Sequence, residues 1–131
     1  MSIFQKWELE SDILDAIISR GWDEPTEIQL DSIPLARKGR DIVGQAKTGS
    51  GKTAAFGIPI LERCKSQGVP QSIILCPTRE LAVQVSEELE LLQGKKGLKI
   101  ISVYGGTDIE KQAKILSAGC DIVVGLSLIH I

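Results

Sequence analysis

Residues 46–53 read AKTGSGKT, and the stretch ends in Lys52 and Thr53, the residue types that grip a phosphate chain and its divalent cation. The spacing departs from GxxxxGK[ST] only in Ala46 at the first glycine position. Gly49 and Gly51 permit backbone angles that a side chain forbids, so successive N–H groups can turn inward on an anion. A helix opening at Lys52 adds the positive end of its dipole. In that frame Lys52 reaches the β- and γ-phosphates, and the Thr53 hydroxyl coordinates Mg²⁺ held by those phosphates. Lys47 reads as a solvent-facing loop residue rather than a second phosphate ligand. The competing reading is a Gly/Ser turn with a solvated lysine. Context weighs against it: a short apolar run, Asp41 to Gly44, precedes the loop, and an amphipathic stretch follows it.

A second stretch, GWDEPTEIQ at 21–29, admits two readings. Pro25, Thr26 and Gln29 have the spacing of a proline-then-capping-box helix start, with Gln29 as a cap residue and Trp22 as a core or staple residue. Alternatively Trp22 offers a flat face to a base, and the Gln29 amide pairs with the N6 and N7 edge of adenine.

The elements that must position these residues follow from periodicity. Two helices come first, Ser11 to Arg20 and Thr26 to Lys38, closed by Gly21 and Gly39. Asp41 to Gly44 is expected as a short strand feeding the glycine loop, with a helix from Lys52 to Cys64 after it. Ser72 to Cys76 (SIILC) is a continuous apolar run, as a parallel strand buried on both faces should be. Thr78 caps a helix through Leu92, and Leu98 to Tyr104 is a further strand. Thr107 and Glu110 form a capping box for a helix to Leu116, and Asp121 to Gly125 is the last strand. Strands alternating with helices of these lengths give an α/β fold with a parallel sheet, whose ligands sit where strands end and helices begin. The 131 residues suffice for one domain with a modest core. A net charge of −2 supplies no global basic field, so nucleic acid can be met only through a local site. No apolar run is long enough to span a membrane, and MSIFQKWELESD lacks the layout of a signal peptide. Cys64, Cys76 and Cys120 are widely spaced and in no CxxC pattern, which fits reduced, buried thiols in a cytoplasmic protein.

Taken together, these stretches resemble a family. GWDEPTEIQ is similar to the Q motif of DEAD-box ATP-dependent RNA helicases, GFxxPTxIQ, with Trp22 in place of the usual Phe, which keeps and enlarges the stacking surface. Phe4, 17 residues before Gly21, matches that motif's isolated upstream aromatic. AKTGSGKT resembles motif I, PTRELA at 77–82 resembles motif Ia, the doublet Gly105 and Gly106 follows the next strand, and DIVVG at 121–125 resembles the strand leading into motif Ib. The resemblance spans residues 4–125. It implies a parallel sheet of the P-loop NTPase (RecA-like) type with flanking helices, truncated, with residues 1–125 as part of the first helicase domain. It implies ATP as the nucleotide: Trp22 stacking on adenine, Glu24 touching it largely through backbone, and Gln29 hydrogen-bonding it in preference to guanine. Ala46, Lys47, Thr48, Gly49, Ser50, Gly51, Lys52 and Thr53 form the phosphate loop, with Mg²⁺ at Thr53. It further implies RNA at Pro77, Thr78, Arg79, Gly105 and Gly106. Free N–H groups and a cation where a helix begins suit a backbone phosphate, so binding should be sequence-tolerant and salt-sensitive. For Arg79 and Glu80 an ion pair is the alternative.

Phosphate binding is not hydrolysis, which also needs an acidic residue at the C-terminal end of a neighbouring strand. Asp41 and Asp121 precede their apolar runs and sit at the wrong end. In the family this task falls to motif II, expected beyond residue 131 together with motif III and a second RecA-like domain. The chain is therefore expected to bind ATP without hydrolysing it, and an unpaired apolar edge strand should make it prone to aggregate. After DIVVG the family pattern runs TPGR, but residues 126–131 read LSLIHI. That string is apolar enough to prolong the strand. One back-translation, CTG TCT CTT ATA CAC ATC, also resembles a transposase adapter used in library preparation, so 126–131 are expected to be a non-native tail in which His130 has no role. Two other functions compete with the helicase: a stand-alone nucleotide- or RNA-binding module, and a DNA-directed superfamily 2 helicase, against which GWDEPTEIQ speaks.

Overall fold

The structure is a computed structural model and describes residues 2–47, 49–104 and 109–126. Three helices lead: α1 (Ile3–Lys6), α2 (Ser11–Ser19) and α3 (Glu27–Arg37). The four-residue α1 is not anticipated from periodicity, which a single turn cannot display. Its signature is the Ser2/Gln5 capping box, in which the Ser2 N–H donates to Gln5 Oε1 at 2.8 Å and the Gln5 N–H to Ser2 Oγ at 3.3 Å. There follow α4 (Lys52–Arg63), β1 (Ser72–Cys76), α5 (Arg79–Gln93), β2 (Ile100–Val103), α6 (Ile109–Ser117) and β3 (Ile122–Leu126). The strands form one parallel sheet in the order β1-β3-β2, with Leu75 and Val103 both registered on Gly125. Thr107 of the expected α6 capping box lies outside the described residues.

Helix α5 holds the architecture together. Ala82, Val85, Leu89 and Leu92 recur at helical spacing and are all buried, and the helix packs on all three strands. On its other side α4 comes close at Gly57, where an added Cβ would lie 2.8 Å from Leu89 Cδ2. Ile13 and Ile17 of α2, Ile33 of α3, and Ile58 and Leu61 of α4 complete a core with Ile74, Ile122 and Val124 of the sheet. Each such side chain removed from water contributes about 1.5–3 kcal/mol. Phe4 is buried in this core and meets Trp7 edge-on, with ring centroids 5.8 Å apart.

Two expectations about the sheet are corrected. Residues 41–44 are not a strand: no described strand pairs with them, and Val43 is fully exposed. An apolar run becomes a strand only when a neighbour takes its backbone hydrogen bonds. Nor is β1 buried on both faces. Ile74 and Cys76 face α5, whereas Ile73 and Leu75 are 70% and 66% exposed. As one of the two edge strands of the described sheet, β1 has one row of backbone groups that no other described strand pairs with.

At the opposite end of the strands, Asp121 is buried and its carboxylate accepts four hydrogen bonds. Oδ1 takes the N–H groups of Gln67 (3.0 Å) and Gly68 (2.9 Å) and Gln71 Nε2 (3.1 Å), and Oδ2 takes the Lys99 N–H (2.9 Å). Burial pushes this carboxyl's pKa upward, but the four donors outweigh it and hold the group below its ordinary value. Cys64, Cys76 and Cys120 are free and buried, and desolvation raises each thiol. None of the described helices is long and apolar enough to cross a membrane.

Candidate nucleotide and RNA site

The glycine loop runs without regular structure into α4. Gly49 and Gly51 adopt φ of 83° and 85°, the left-handed region that glycine enters at least cost. Ser50 closes a turn on Lys47, its N–H donating to the Lys47 carbonyl at 3.2 Å and its hydroxyl to the same oxygen. The first intrahelical bond of α4 runs from the Ala55 N–H to Gly51 O at 3.1 Å. The N–H groups ahead of it have no partner within the helix and are the ones an anion would take. Lys52, the first residue of α4, is exposed, and Thr53 beside it is half-buried. Ala46 and Lys47 lie in the loop, and Thr48 lies outside the described residues.

Gln29 joins this loop to the preceding helix. It is buried; its Oε1 accepts the Thr26 N–H at 3.0 Å and its Nε2 donates to Gly51 O at 3.2 Å. A Cβ at Gly51 would lie 2.3 Å from Gln29 Nε2 and 3.0 Å from Thr26 Oγ1, so only glycine fits there. Gln29 is thus a cap residue, as one reading of GWDEPTEIQ has it. An amide carries two N–H groups and an oxygen with two lone pairs, so these two bonds use half of its capacity. The bond to Gly51 is a link that sequence spacing alone did not disclose.

Trp22 is half-buried against the core, and the Arg20 guanidinium covers its ring at 4.4 Å from the centroid. Arg20 is held there by Glu88 at 2.6 Å. One face expected to stack on adenine therefore carries a cation. Beside Trp22 opens a cleft of about 440 Å³ lined by Ser2, Gln5, Ile18, Gly21, Asp23 and Glu24. The Glu24 carboxylate accepts the Ile3 N–H at 3.2 Å and so pins α1 to one wall of the cleft.

The described residues of the second group lie at the C-terminal end of the sheet. Pro77, Thr78 and Arg79 leave β1 exposed, and Thr78 caps α5 by accepting the Leu81 N–H on its Oγ1 at 3.2 Å. Arg79 lies over the Tyr104 ring, 4.4 Å from its centroid. Neither Arg79 nor Glu80 takes part in the ion pairs found among the described residues. Gly105 and Gly106, one residue beyond Tyr104, lie outside the described residues. Asp121 stands at the far end of its strand with its oxygens taken by N–H donors, and Asp41 is exposed ahead of the loop. Among the described residues no group of three His, Cys, Asp or Glu side chains gathers to hold a metal ion.

A glycine loop opening a helix beside a parallel sheet with α5 packed on it is an α/β arrangement of the RecA-like type. The "DEAD/DEAH box helicase" family profile matches residues 26–128, and the chain belongs to that family. It is 50% identical over 123 residues to "DEAD-box ATP-dependent RNA helicase CshA" of Streptococcus pneumoniae serotype 4, covering 93% of this chain and 24% of that protein. Identity to CshA of Bacillus subtilis is 46%, over 93% of this chain and 25% of the relative. The chain thus spans about a quarter of the length of these curated relatives. Among solved structures, a DEAD box protein from the hyperthermophile Methanococcus jannaschii superposes with a TM-score of 0.85 at 49% identity, covering 90% of this chain and 32% of that one. A hypothetical ATP-dependent RNA helicase from Sulfolobus tokodaii gives 0.80 at 39% identity, covering 90% and 34%.

Proposed function

We propose that this chain is part of an ATP-dependent RNA helicase and supplies its ATP-binding loop and one RNA-facing edge. The observation that carries this reading is the Gly51 junction, where a left-handed glycine opens α4 under the Gln29 amide with Lys52 exposed beside it. Triphosphate would be held by residues 46–53, with Lys52 on its outer phosphates and Thr53 contributing to Mg²⁺ binding. Bound Mg²⁺ would neutralise phosphate charge. Adenine would enter the cleft beside Trp22 and Glu24 and use the free half of the Gln29 amide. RNA would lie across Pro77, Thr78 and Arg79 and the Gly105–Gly106 doublet, gripped by sugar and phosphate so that sequence matters little. Alone, this chain binds ATP without hydrolysing it, because Asp41, exposed ahead of the loop, and Asp121, at the far end of β3, are badly placed to hold a metal-bound water. Residues 126–131 are read as a non-native tail, and a long read of the source DNA across the Leu126 codon tests that: a frame running from Gly125 into TPGR supports it, and a genomic LSLIHI followed by a stop removes it.

Titration with fluorescent ATP and GTP analogues tests the nucleotide assignment. ATP should bind more tightly than GTP, and phosphate release by the isolated chain should stay at background. In the full-length protein RNA should stimulate ATP hydrolysis; stimulation by DNA alone would transfer the assignment to a DNA-directed helicase.

A further inference from the structure

We propose that Tyr104 is a positioning residue that holds the Arg79 guanidinium ready for a nucleic-acid phosphate; this rests on the RNA reading of that edge. Arg79 is the first residue of α5, exposed, and outside every ion pair found among the described residues. A free arginine at a helix start samples many rotamers and loses that freedom when it binds. Here the guanidinium carbon lies 4.4 Å from the Tyr104 ring centroid, well inside the range of cation–π attraction. A guanidinium seated on a ring has one face satisfied, while its N–H donors stay in its own plane, directed outward at the rim. That is the presentation a phosphate takes in a bidentate pair.

The surroundings point the same way. Thr78 is fixed in its capping conformation by the Leu81 N–H, so the backbone under Arg79 is anchored. Tyr104 is half-buried at the end of β2, which is locked to β3 in parallel register, so the ring is anchored from the other side. Two elements 25 residues apart in sequence thus converge on one cation at the sheet's C-terminal end. Tyr104 itself need not touch RNA. Its part is to reduce the ordering cost that Arg79 would otherwise incur on binding, a form of preorganisation.

The test uses the present chain with a fluorescently labelled single-stranded oligoribonucleotide, read by anisotropy over a series of salt concentrations. R79A should weaken binding roughly ten-fold and reduce the salt slope by about one. Y104L should weaken it roughly three- to ten-fold, whereas Y104F, which keeps the ring, should stay within about two-fold of the parent. R79A/Y104L should bind no more weakly than R79A, because the two residues act through one contact. Independently of RNA, the Arg79 Nε–Hε resonance should carry a ring-current shift that Y104L removes and Y104F retains. If R79A weakens binding but Y104L does not, or if their effects add in full, the inference is overturned while the RNA edge stands. If the parent chain fails to bind RNA, or R79A binds like the parent, the RNA reading of this edge fails and the inference falls with it. Y104W, another ring at the same place, guards against a fold defect: loss of binding in Y104W and Y104F as severe as in Y104L would also overturn the inference.

Discussion

Replacing Asp121 tests whether the end of the sheet remote from the site is held by a single carboxylate. In Asp121→Ala four donors lose their acceptor, but not all at equal cost. Gln71 Nε2 keeps the Lys65 and Val69 carbonyls, at 2.7 and 3.0 Å. Gln67 and Gly68 lie on an exposed loop where water can take over part of their bonding. With hydrogen bonds to a charged group worth about 1.5–3 kcal/mol, and those two discounted for water, the loss comes to about 3 kcal/mol. Asp121→Asn keeps one acceptor oxygen for the loop but turns an NH₂ toward the Lys99 N–H, so about half that loss is expected. Urea unfolding followed by tryptophan fluorescence should show the midpoint of Asp121→Ala falling by about 1–1.5 M, at a slope of about 2 kcal/mol per M for a small domain. The pH dependence has a definite sign. The folded pKa lies below the unfolded value of about 3.9, so the stabilisation is complete well above that pH and is lost as pH falls through the folded pKa. The gap between wild type and Asp121→Asn should therefore be widest near neutral pH and narrow below about pH 4. A midpoint shift under about 0.3 M for Asp121→Ala, or a gap constant from neutral to acid, would refute the reasoning.

Three further substitutions probe the site. Lys52→Ala should abolish binding of a fluorescent triphosphate and change stability by less than about 0.5 kcal/mol, since Lys52 is exposed; unfolding at much lower urea would show a structural lysine instead. Gly51→Ala places a methyl 2.3 Å from Gln29 Nε2 at a φ of 85°, so it should cost about 2 kcal/mol or more and weaken nucleotide binding; unchanged binding in calorimetry would mean the loop does not need this close approach. Gln29→Glu sets a buried carboxylate against the Gly51 carbonyl, and a loss of about 2 kcal/mol together with weaker ATP-analogue binding is expected; a variant as stable and as tight as the parent would remove Gln29 from the site.

How far the sequence reveals this molecule depends on the range of the interaction involved. The helices were legible because their signals are local: Thr78 caps α5, and Ala82, Val85, Leu89 and Leu92 mark its buried face within one short stretch. The glycine loop ahead of α4 is legible for the same reason, since its glycines and the helix start after them are local signals. Residues 41–44 have the composition of a strand without being one because that state depends on a neighbour, and Ile73 and Leu75 are exposed because burial on both faces depends on what covers the second. Gln29 is the instructive case. Both readings of its spacing were visible, but that its amide also reaches Gly51, 22 positions away, follows only from how α3 packs on α4. The Arg79–Tyr104 stack is likewise a product of how α5 packs on β2 rather than of local pattern.

The order β1-β3-β2 has a bearing on how the chain folds. The two strands made first do not touch each other in the sheet; each is paired only to β3, the last of the described strands in sequence. A ribosome must therefore release the chain from Ile122 onward before these hydrogen-bonded ladders can close. Until then SIILC and KIISV are separate apolar segments resting on α5 at best, exposed to chaperones and to one another. Nonlocal closure of this kind is slow, and it makes the synthesis interval a stage at which this domain is vulnerable to misassembly.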